Sequence, residues 1–354
     1  MSTVSGAARL VHCMNAQKFT EPFIDFVEQH FDSSEHRFII REDDKFAVKT
    51  RENVVLVPKS IGRIALLKLY YTEFKSAEKI FLHGLFAKDL VKILALQYWV
   101  LKKCYWIMWG ADLYHFIFRK RSLRANIFER VRAFVIRRIG HLVSYIDGDI
   151  ALAREWYGAS GQAHRCFMYS SNLYKPLPEI SAGESSTQTV ILVGNSADPR
   201  NEHMEILERI APFAGENIRV VAPLSYGRKR YADAVIAEGQ RIFGDKFEAL
   251  TGFMPLDDYV RLLSEVDIAV FNHRRQQAMG NKISLLGLGK RVYMRSDITP
   301  WALFAEEGIK VFDIEDFDLE HIVPEVAQSN KQRVASVFSE DNLVSQYREM
   351  FEPS

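Results

Sequence analysis

The stretch ILVGNSADPRNEHMEIL, residues 191–207, ends an apolar run in Gly194-Asn195-Ser196 and continues through Asp198 and Pro199 into a helical apolar repeat at Met204, Leu207, Ile210 and Ala211. A strand that delivers glycine and small polar residues to the start of a helix can build an anion site. The glycine lets a ligand approach the backbone, the side chains offer donors, and the free N–H groups of the helix start carry partial positive charge. Asp198 before Pro199 has the pattern of an N-cap followed by proline in the first turn, and Asn201 is a second cap candidate. A plain strand–loop–helix turn without a ligand fits the same residues. The glycine spacing is neither G-x-G-x-x-G nor a Gly-Lys-Ser/Thr loop, so the usual dinucleotide and P-loop fingerprints are absent.

Two more loops carry similar chemistry. In VVAPLSYGRKRY (220–231), Pro223, Tyr226 and Gly227 follow an apolar run, and Tyr226 is placed either to stack on a base or to cap the core. In VDIAVFNHRRQQAMGNKISLLGLGKRVY (266–293), Arg274 and Arg275 suit a diphosphate, Gln276 and Gln277 suit sugar hydroxyls, and Gly280 and Asn281 open a helix. A solvated surface loop is the other reading of the two arginines. In the first half of the chain, IFLHGLF ends a strand at His83-Gly84, and YWIMWGADLYHF ends another at Gly110 with Asp112 just beyond. Asp112 is the first candidate for a general base, with capping of its own turn as the alternative. His83 is the second candidate, or else a buried, satisfied histidine. Trp106 and Trp109 read as packing residues. Asp147-Gly148-Asp149 has the form of a DxD metal motif, but Asp149 is well explained as a helix N-cap, and no metal is expected.

These loops need elements to hold them. Strand-like runs at 9–13, 37–41, 53–57, 79–83, 104–109 and 141–146 form one set. Runs at 189–194, 217–222, 247–251, 267–271, 291–294 and 309–312 form another. Helical patterns alternate with them at 19–31, 60–74, 86–102, 120–139, 149–157, 200–212, 228–244, 256–265, 280–288 and 299–307. Alternating β and α predicts parallel sheets covered by helices on both faces. KPLPEISAGESSTQT (175–189) interrupts the alternation with proline, glycine and small polar residues. It divides the chain into a domain at 1–176, a linker at 177–188 and a domain at 189–330. The segment 331–354 follows, and its helical stripe of Leu343, Val344, Tyr347, Met350 and Phe351 is expected to return to the first domain.

Composition limits the function classes. A net charge of +1 over 354 residues predicts no general attraction to nucleic acid. Cys13, Cys104 and Cys166 are widely spaced with no CxxC, which argues against a disulfide framework or a structural zinc site and suits a reduced, cytoplasmic setting. The N-terminus lacks the apolar core of a signal peptide, and the longest apolar run, 93–101, stops at Lys102 and Lys103. One segment departs from this neutrality: residues 116–140 hold eight Lys or Arg against one acid, Glu129. With Arg119, Lys120, Arg121 and Arg124 near an apolar stripe at Ile127, Val131, Phe134 and Val135, it reads either as a membrane-facing basic helix or as a sheet-docked helix with a solvated basic face.

Two such domains facing a cleft, with a C-terminal helix crossing back, describe the GT-B glycosyltransferase architecture of two Rossmann-like doubly wound domains. WGADLY (109–114), ILVGNSADPRNEH (191–203), DDYVRLLSEVDIAVF (257–271) and RQQAMGN (275–281), in this order, resemble glycosyltransferase family 56. These are the transferases that complete the lipid-linked trisaccharide of enterobacterial common antigen. The likeness runs from His83-Gly84 to the terminal helix, strongest in the second domain and thin over the first 80 residues. It implies a peripheral inner-membrane enzyme that moves 4-acetamido-4,6-dideoxy-D-galactose from its dTDP-sugar to an undecaprenyl-diphosphate disaccharide. Gly194, Asn195, Ser196, Asn201, Glu202, His203, Arg275, Gln276, Gln277 and Gly280 match the family's donor side. Gly110, Ala111, Asp112, Leu113 and Tyr114 match its Trp-Gly-Ala-Asp segment, and Gly84, Gly110, Ala111 and Tyr114 are assigned to the acceptor side. The run Ala278-Met279-Gly280-Asn281-Lys282 departs from the family's pattern, which leaves room for another dideoxyhexose or deoxyhexose. Fixed N–H dipoles and an arginine can stabilise the leaving diphosphate, so transfer is expected without a metal or other cofactor, with Asp112 or His83 taking the acceptor's proton. A sugar-nucleotide epimerase on the same fold and a non-catalytic nucleotide-sugar binding protein are the rival readings.

Overall fold

The computed structural model describes residues 9–176, 188–252 and 254–352. It divides into two compact units, one of residues 1–171 and 343–354 and one of residues 172–342. Most of the sequence-assigned linker, residues 177–187, lies outside the described residues.

The first unit is a seven-stranded parallel sheet. Its strands are β1 (Leu10–Asn15), β2 (His36–Arg41), β3 (Val54–Val57), β4 (Lys79–His83), β5 (Cys104–Ile107), β6 (His141–Val143) and β7 (Gln162–His164), in the order β3-β2-β1-β4-β5-β6-β7. Its helices are α1 (Thr20–His30), α2 (Arg63–Ser76), α3 (Lys88–Leu96), α4 (His115–Phe118), α5 (Leu123–Arg138) and α6 (Asp147–Tyr157). The period-2 alternation of the strands sorts residues onto two faces. Val11, Cys13, Ile39, Ile80, Leu82, Trp106 and Leu142 share one core with Leu66 and Tyr70 of α2, Leu90 and Leu94 of α3, and Val135 and Ile136 of α5. On the opposite face, His12 meets Phe23 of α1 edge-on at 5.5 Å. The helix pattern expected at 86–102 is two elements, α3 and a 3-10 turn at Tyr98–Lys103. Asp149 is not an N-cap: α6 already begins at Asp147, so Asp149 lies in its first turn.

The second unit repeats the plan with β8 (Thr189–Val193), β9 (Ile218–Pro223), β10 (Phe247–Leu250), β11 (Ile268–Phe271), β12 (Arg291–Met294) and β13 (Phe312–Asp313), in the order β10-β9-β8-β11-β12-β13. Its helices are α7 (His203–Ile210), α8 (Lys229–Phe243), α9 (Leu256–Glu265), α10 (Met279–Gly287), α11 (Thr299–Glu306) and α12 (Pro324–Val337). Both sheets are doubly wound: the order reverses at β1/β4 and at β8/β11, and ligands of such sheets bind in the crevice at the carboxyl ends of the strands there.

Two boundaries differ from those read in the sequence. Residues 172–176 belong with the second unit, where Tyr174 N–H donates to Phe338 O and its hydroxyl donates to Gly287 O. The segment 331–342 also stays with the second unit, because α12 packs on α10. The last helix, α13 (Glu340–Phe351), buries Leu343, Tyr347, Met350 and Phe351. Tyr347 and Phe351 pack on Phe23, Phe31 and His36 of the first unit. Its terminal carbonyls are capped by cations: Lys79 Nζ donates to Met350 O at 2.9 Å and Glu352 O at 2.6 Å, and Arg9 donates to Phe351 O at 2.8 Å. Positive charge at a helix C-terminus is stabilising, and here it satisfies carbonyls that have no partner within the helix.

Candidate active site

At the β8/β11 switch point of the second unit, the Gly194 turn is tied down from several sides. Gly194 has φ +66° and donates to Val270 O. A Cβ on it would stand 2.4 Å from His203 Nε2 and 2.7 Å from Asn201 Oδ1, so side chains of the protein itself, together with the left-handed backbone, require glycine here. Asn201 is fully buried; it accepts from Asn195 N–H at 2.9 Å and donates to Ser196 Oγ at 3.2 Å. His203, also fully buried, receives its order from Tyr231, whose hydroxyl accepts His203 N–H. Burial pushes its imidazole down to about 4. Asn201 and His203 therefore brace the turn from beneath and do not line a ligand surface. The helix expected from 200 begins instead as a 3-10 turn at Pro199–Asn201, which Asp198 caps by accepting Arg200 N–H. Glu202, at φ 54°, then redirects the chain into α7.

The next loop is stitched to this one. Ala197 N–H donates to Tyr226 O, Arg228 N–H donates to Ala197 O, and Gly227 pairs with Ala197 so closely that a Cβ would meet its carbonyl at 2.5 Å. Pro223 ends β9 in register with Leu250. This places Tyr226, 54% exposed, beside Asn195, whose Nδ2 donates to its hydroxyl at 3.2 Å. On the neighbouring side Asn281 Nδ2 donates to the Tyr259 hydroxyl at 2.8 Å. Tyr259 was not singled out in the sequence.

The two arginines of the 272–281 loop part company. Arg274 is exposed and ion-paired with Glu202 and Glu205, at 3.4 and 2.9 Å, which removes it from the diphosphate role expected of it. Arg275 is 9% exposed and donates to Gln276 O. Near it lie two residues that the sequence reading missed, His273 and Lys282, both fully buried. Burial, then the charges of Lys282, Arg275 and His203, hold the His273 imidazole well below its usual value. Burial, then Arg275, brings the Lys282 ammonium down to about 7. Lys282 Nζ donates to Gln277 O at 3.1 Å, and among the described residues it forms no ion pair. The side-chain oxygens of Gln276 and Gln277 are buried without a hydrogen-bond partner among the described residues. The start of α10 has no side-chain cap, and Ala278 before it is at φ 55°, so the N–H groups at Gly280 and its neighbours remain directed outward from the helix start. The signal for Lys282 was present in the sequence: it is spaced i+3 and i+4 from Leu285 and Leu286, both of which face the core.

The first unit has a different rim. Asp112 is 1% exposed, and its carboxylate accepts from Trp106 Nε1 at 2.7 Å, Leu85 N–H at 3.1 Å and Trp109 N–H at 2.9 Å. With three donors and no open surface it ties the loops after β4 and β5 together; this corrects its assignment as the base. Gly84 and Gly110, at φ 79° and 77°, make those turns. Ala111 is exposed, whereas Tyr114 is buried with its ring edge-on to Trp156, so Tyr114 is a core residue and not an acceptor contact.

His83 is held in a buried hydrogen-bond chain. His36 Nδ1 lies 3.0 Å from His12 Nε2, His12 Nδ1 3.2 Å from His83 Nε2, and His83 Nδ1 2.6 Å from the Tyr169 hydroxyl. Trp109 Nε1 donates to that hydroxyl at 3.0 Å. With Tyr169 donating to His83, His83 donates to His12 and His12 donates to His36, each imidazole being neutral. Burial pushes His83 down to about 3; burial and then Arg9 push His36 down to about 4; burial and then the other two histidines hold His12 well below its usual value. His12, His36 and Tyr169 were not legible as a set, because three distant segments supply them.

In the basic segment, Arg119 turns back, donating to Phe116 O. Lys120, Arg121 and Arg124 are exposed. Of the expected stripe only Val135 is buried; Ile127 and Phe134 face outward.

Comparison with known proteins places this geometry. The model of the family described as 4-alpha-L-fucosyltransferase, glycosyl transferase group 56, matches residues 18–351. The chain belongs to glycosyltransferase family 56. Among solved structures, this family 56 protein is similar to Anabaena HepE in complex with UDP, with TM-score 0.69, 13% identity and coverage of 96% of this chain and 98% of that one. It is also similar to the Candida albicans trehalose-6-phosphate phosphatase N-terminal domain, with TM-score 0.69, 11% identity and coverage of 99% and 98%. Sucrose-phosphate synthase from Thermosynechococcus elongatus aligns with TM-score 0.65, 11% identity and coverage of 97% and 99%. The family 56 chain is thus a glycosyltransferase of GT-B fold.

Proposed function

We propose that this glycosyltransferase moves a 4-acetamido-4,6-dideoxyhexose, or a related deoxyhexose, from a dTDP-sugar to a lipid-linked, undecaprenyl-diphosphate oligosaccharide in bacterial surface polysaccharide synthesis. It works peripherally at the cytoplasmic face of the inner membrane, with Lys120, Arg121 and Arg124 of the basic segment 116–140 toward the lipid. The observation that carries the donor side is the buried basic group of Arg275, Lys282 and His273 next to the uncapped start of α10. Lys282 is buried and forms no ion pair among the described residues; a buried cation is costly, and a diphosphate compensates it. As the anomeric C–O bond breaks, its electron pair goes to the departing dTDP, whose growing charge Arg275, Lys282 and the α10 N–H groups stabilise without a metal. Tyr226 and Asn195 hold the nucleoside end. On the acceptor side, the Tyr169 hydroxyl, fixed by its hydrogen bonds to His83 and Trp109, orients the attacking hydroxyl.

The test is thermal-shift binding of dTDP, UDP, GDP and ADP to the full chain, followed by transfer assays with dTDP-sugars and a lipid-linked acceptor. Selective stabilisation by dTDP, lost in Arg275→Ala, supports the donor assignment. A preference for UDP or GDP breaks the dTDP assignment, and no response to any nucleotide overturns the transferase site itself. Conversion of the donor without acceptor would replace transfer by epimerisation.

A further inference from the structure

Helices α2, α3 and α5 cover one face of the first sheet, and their outward surfaces are not those of solvated helices. Inward, α5 turns two charged residues, Glu129 and Arg132, both buried and paired at 3.2 Å. Outward it shows Leu123, Ile127 and Phe134 at 77%, 53% and 37% exposure, with Arg124 and Arg130 between them. Val135 and Ile136 of this helix enter the core, yet its outward side also keeps apolar residues that a surface helix normally turns inward. Beside it, the end of α3 and the following 3-10 turn expose Leu96, Tyr98 and Trp99 at 65%, 60% and 56%. On α2, Leu66, Tyr70 and Phe74 fill the core, while Ile64, Leu67 and Tyr71, spaced i, i+3 and i+7, remain exposed. Three neighbouring elements therefore present apolar side chains on one layer.

The charge on this layer identifies what it meets. Between Arg63 and Arg138 the chain carries sixteen Lys or Arg and five Asp or Glu, against a whole-chain net charge of +1; of the sixteen, Lys79 and Arg132 are buried and do not reach this layer. Of those five acids, Glu129 and Asp112 are buried, Asp89 pairs with Arg41, Glu73 with Arg37 and Glu78 with Arg9. A protein partner's interface would gather apolar residues in a core depleted of lysine, whereas here aromatic and aliphatic tips alternate with Lys and Arg. An anionic bilayer fits that mixture: basic heads meet phosphates, and tryptophan and tyrosine settle at headgroup depth.

We propose that the outward face of α2, α3 with its 3-10 turn, and α5 is a docking surface for an anionic lipid bilayer, with Trp99 and Tyr98 inserted at the interface. The proposal deepens the reading of a lipid-linked acceptor and rests on it for the presence of a membrane. It extends the contact beyond the basic segment 116–140 to residues of α2 and of the 98–103 turn.

The experiment uses the full chain with vesicles of phosphatidylglycerol and phosphatidylethanolamine, against vesicles of phosphatidylcholine alone. Binding to the anionic vesicles, weakened by added salt, is expected, with tryptophan fluorescence quenched by brominated lipid and most of that quenching lost in Trp99→Phe. Leu96→Ser with Trp99→Ser should weaken partitioning by about tenfold, as should Arg121→Glu with Arg124→Glu, both with unchanged melting temperature. All four positions are exposed, so the variants are expected to fold. Equal binding to neutral vesicles, binding unaffected by these variants, or a concentration-dependent dimer that the variants dissolve in place of vesicle binding would each overturn it. Thermal shift by dTDP is read on the same samples: vesicle binding lost with nucleotide binding intact sinks the docking surface alone, and the reverse sinks the donor reading.

Discussion

At the scale of single residues, the clearest lesson concerns which charges are already occupied. Arg274 is held by two carboxylates, so its removal should scarcely touch nucleotide affinity, whereas Arg275 is buried and Lys282 is buried without an ion pair among the described residues. Lys282 titrates near 7 in the free protein because burial and Arg275 both disfavour its charged form. A bound diphosphate favours that charged form, so its pKa must rise on binding. The enzyme is therefore expected to take up close to one proton when it binds dTDP at pH 8 and almost none at pH 6. Calorimetry in buffers of different ionisation enthalpy measures this directly, and an uptake independent of pH, or unchanged in Lys282→Met, would remove Lys282 from the site. Asp112 gives the opposite expectation. Replacing it by Asn turns an amide toward the N–H groups of Leu85 and Trp106, two donors that now meet a carboxylate. Hydrogen bonds to a charged acceptor contribute about 1.5–3 kcal/mol each, so Asp112→Asn should lower the melting temperature of the first unit while dTDP binding persists. Lost turnover with an unchanged melting temperature would restore it as the base.

At the scale of elements, the strand-to-turn units were the legible part. Apolar runs at 79–83 and 291–294 are strands with those same bounds, because continuous apolar runs between turn signals suit strands buried on both faces. What stayed hidden was why each turn has its residues. The sequence suggested Gly194 as an opening for a ligand; the space above its Cα is taken by His203 and Asn201, nine and seven residues farther along the chain. Such reciprocal packing depends on how the 3-10 turn at 199–201 folds back, which periodicity does not encode. α12 was missed for a related reason: its apolar positions are sparse, since little more than Asn330 and Val334 is buried. The packing reading carries its own consequence. Gly194→Ala must force a side chain into the left-handed region and within 2.4 Å of an imidazole. It should cost about 2 kcal/mol or more of stability in the second unit and blunt the dTDP thermal shift, with the first unit's melting unaffected. A stable, fully responsive Gly194→Ala protein would show that the brace under the turn is dispensable.

At the scale of the whole molecule, each unit stores neutral histidines in its interior: His12, His36 and His83 in the first, His203 and His273 in the second. All five are held below their ordinary value, chiefly by burial. The sign follows from linkage. Above about 6.5 the folded and unfolded chains both keep these groups neutral, and the stabilisation is fully present. As pH falls below that, the unfolded chain takes up protons that the folded chain refuses until about 4 for His36 and His203 and about 3 for His83. Each such histidine then removes about 1.4 kcal/mol of stability per pH unit. The sequence hinted at this only through polar residues inside apolar strands, His12 in LVHCMN and His36 at the head of HRFIIR. Because α13 covers His12 and His36 with Phe351 and caps through Arg9 and Lys79, protonating that row also pushes against the helix that completes the first unit. The melting temperature of the first unit should therefore be nearly level from pH 7 to 8 and fall steeply from 6.5 to 4.5, with α13 the first segment to exchange its amide hydrogens. Tyr347→Ala, which opens a cavity over Phe23 and Phe31, should shift that fall toward higher pH by weakening the same contact, at a cost of about 3 kcal/mol. A flat profile through pH 5, or exchange that begins elsewhere in the unit, would mean that the histidine row does not govern acid stability.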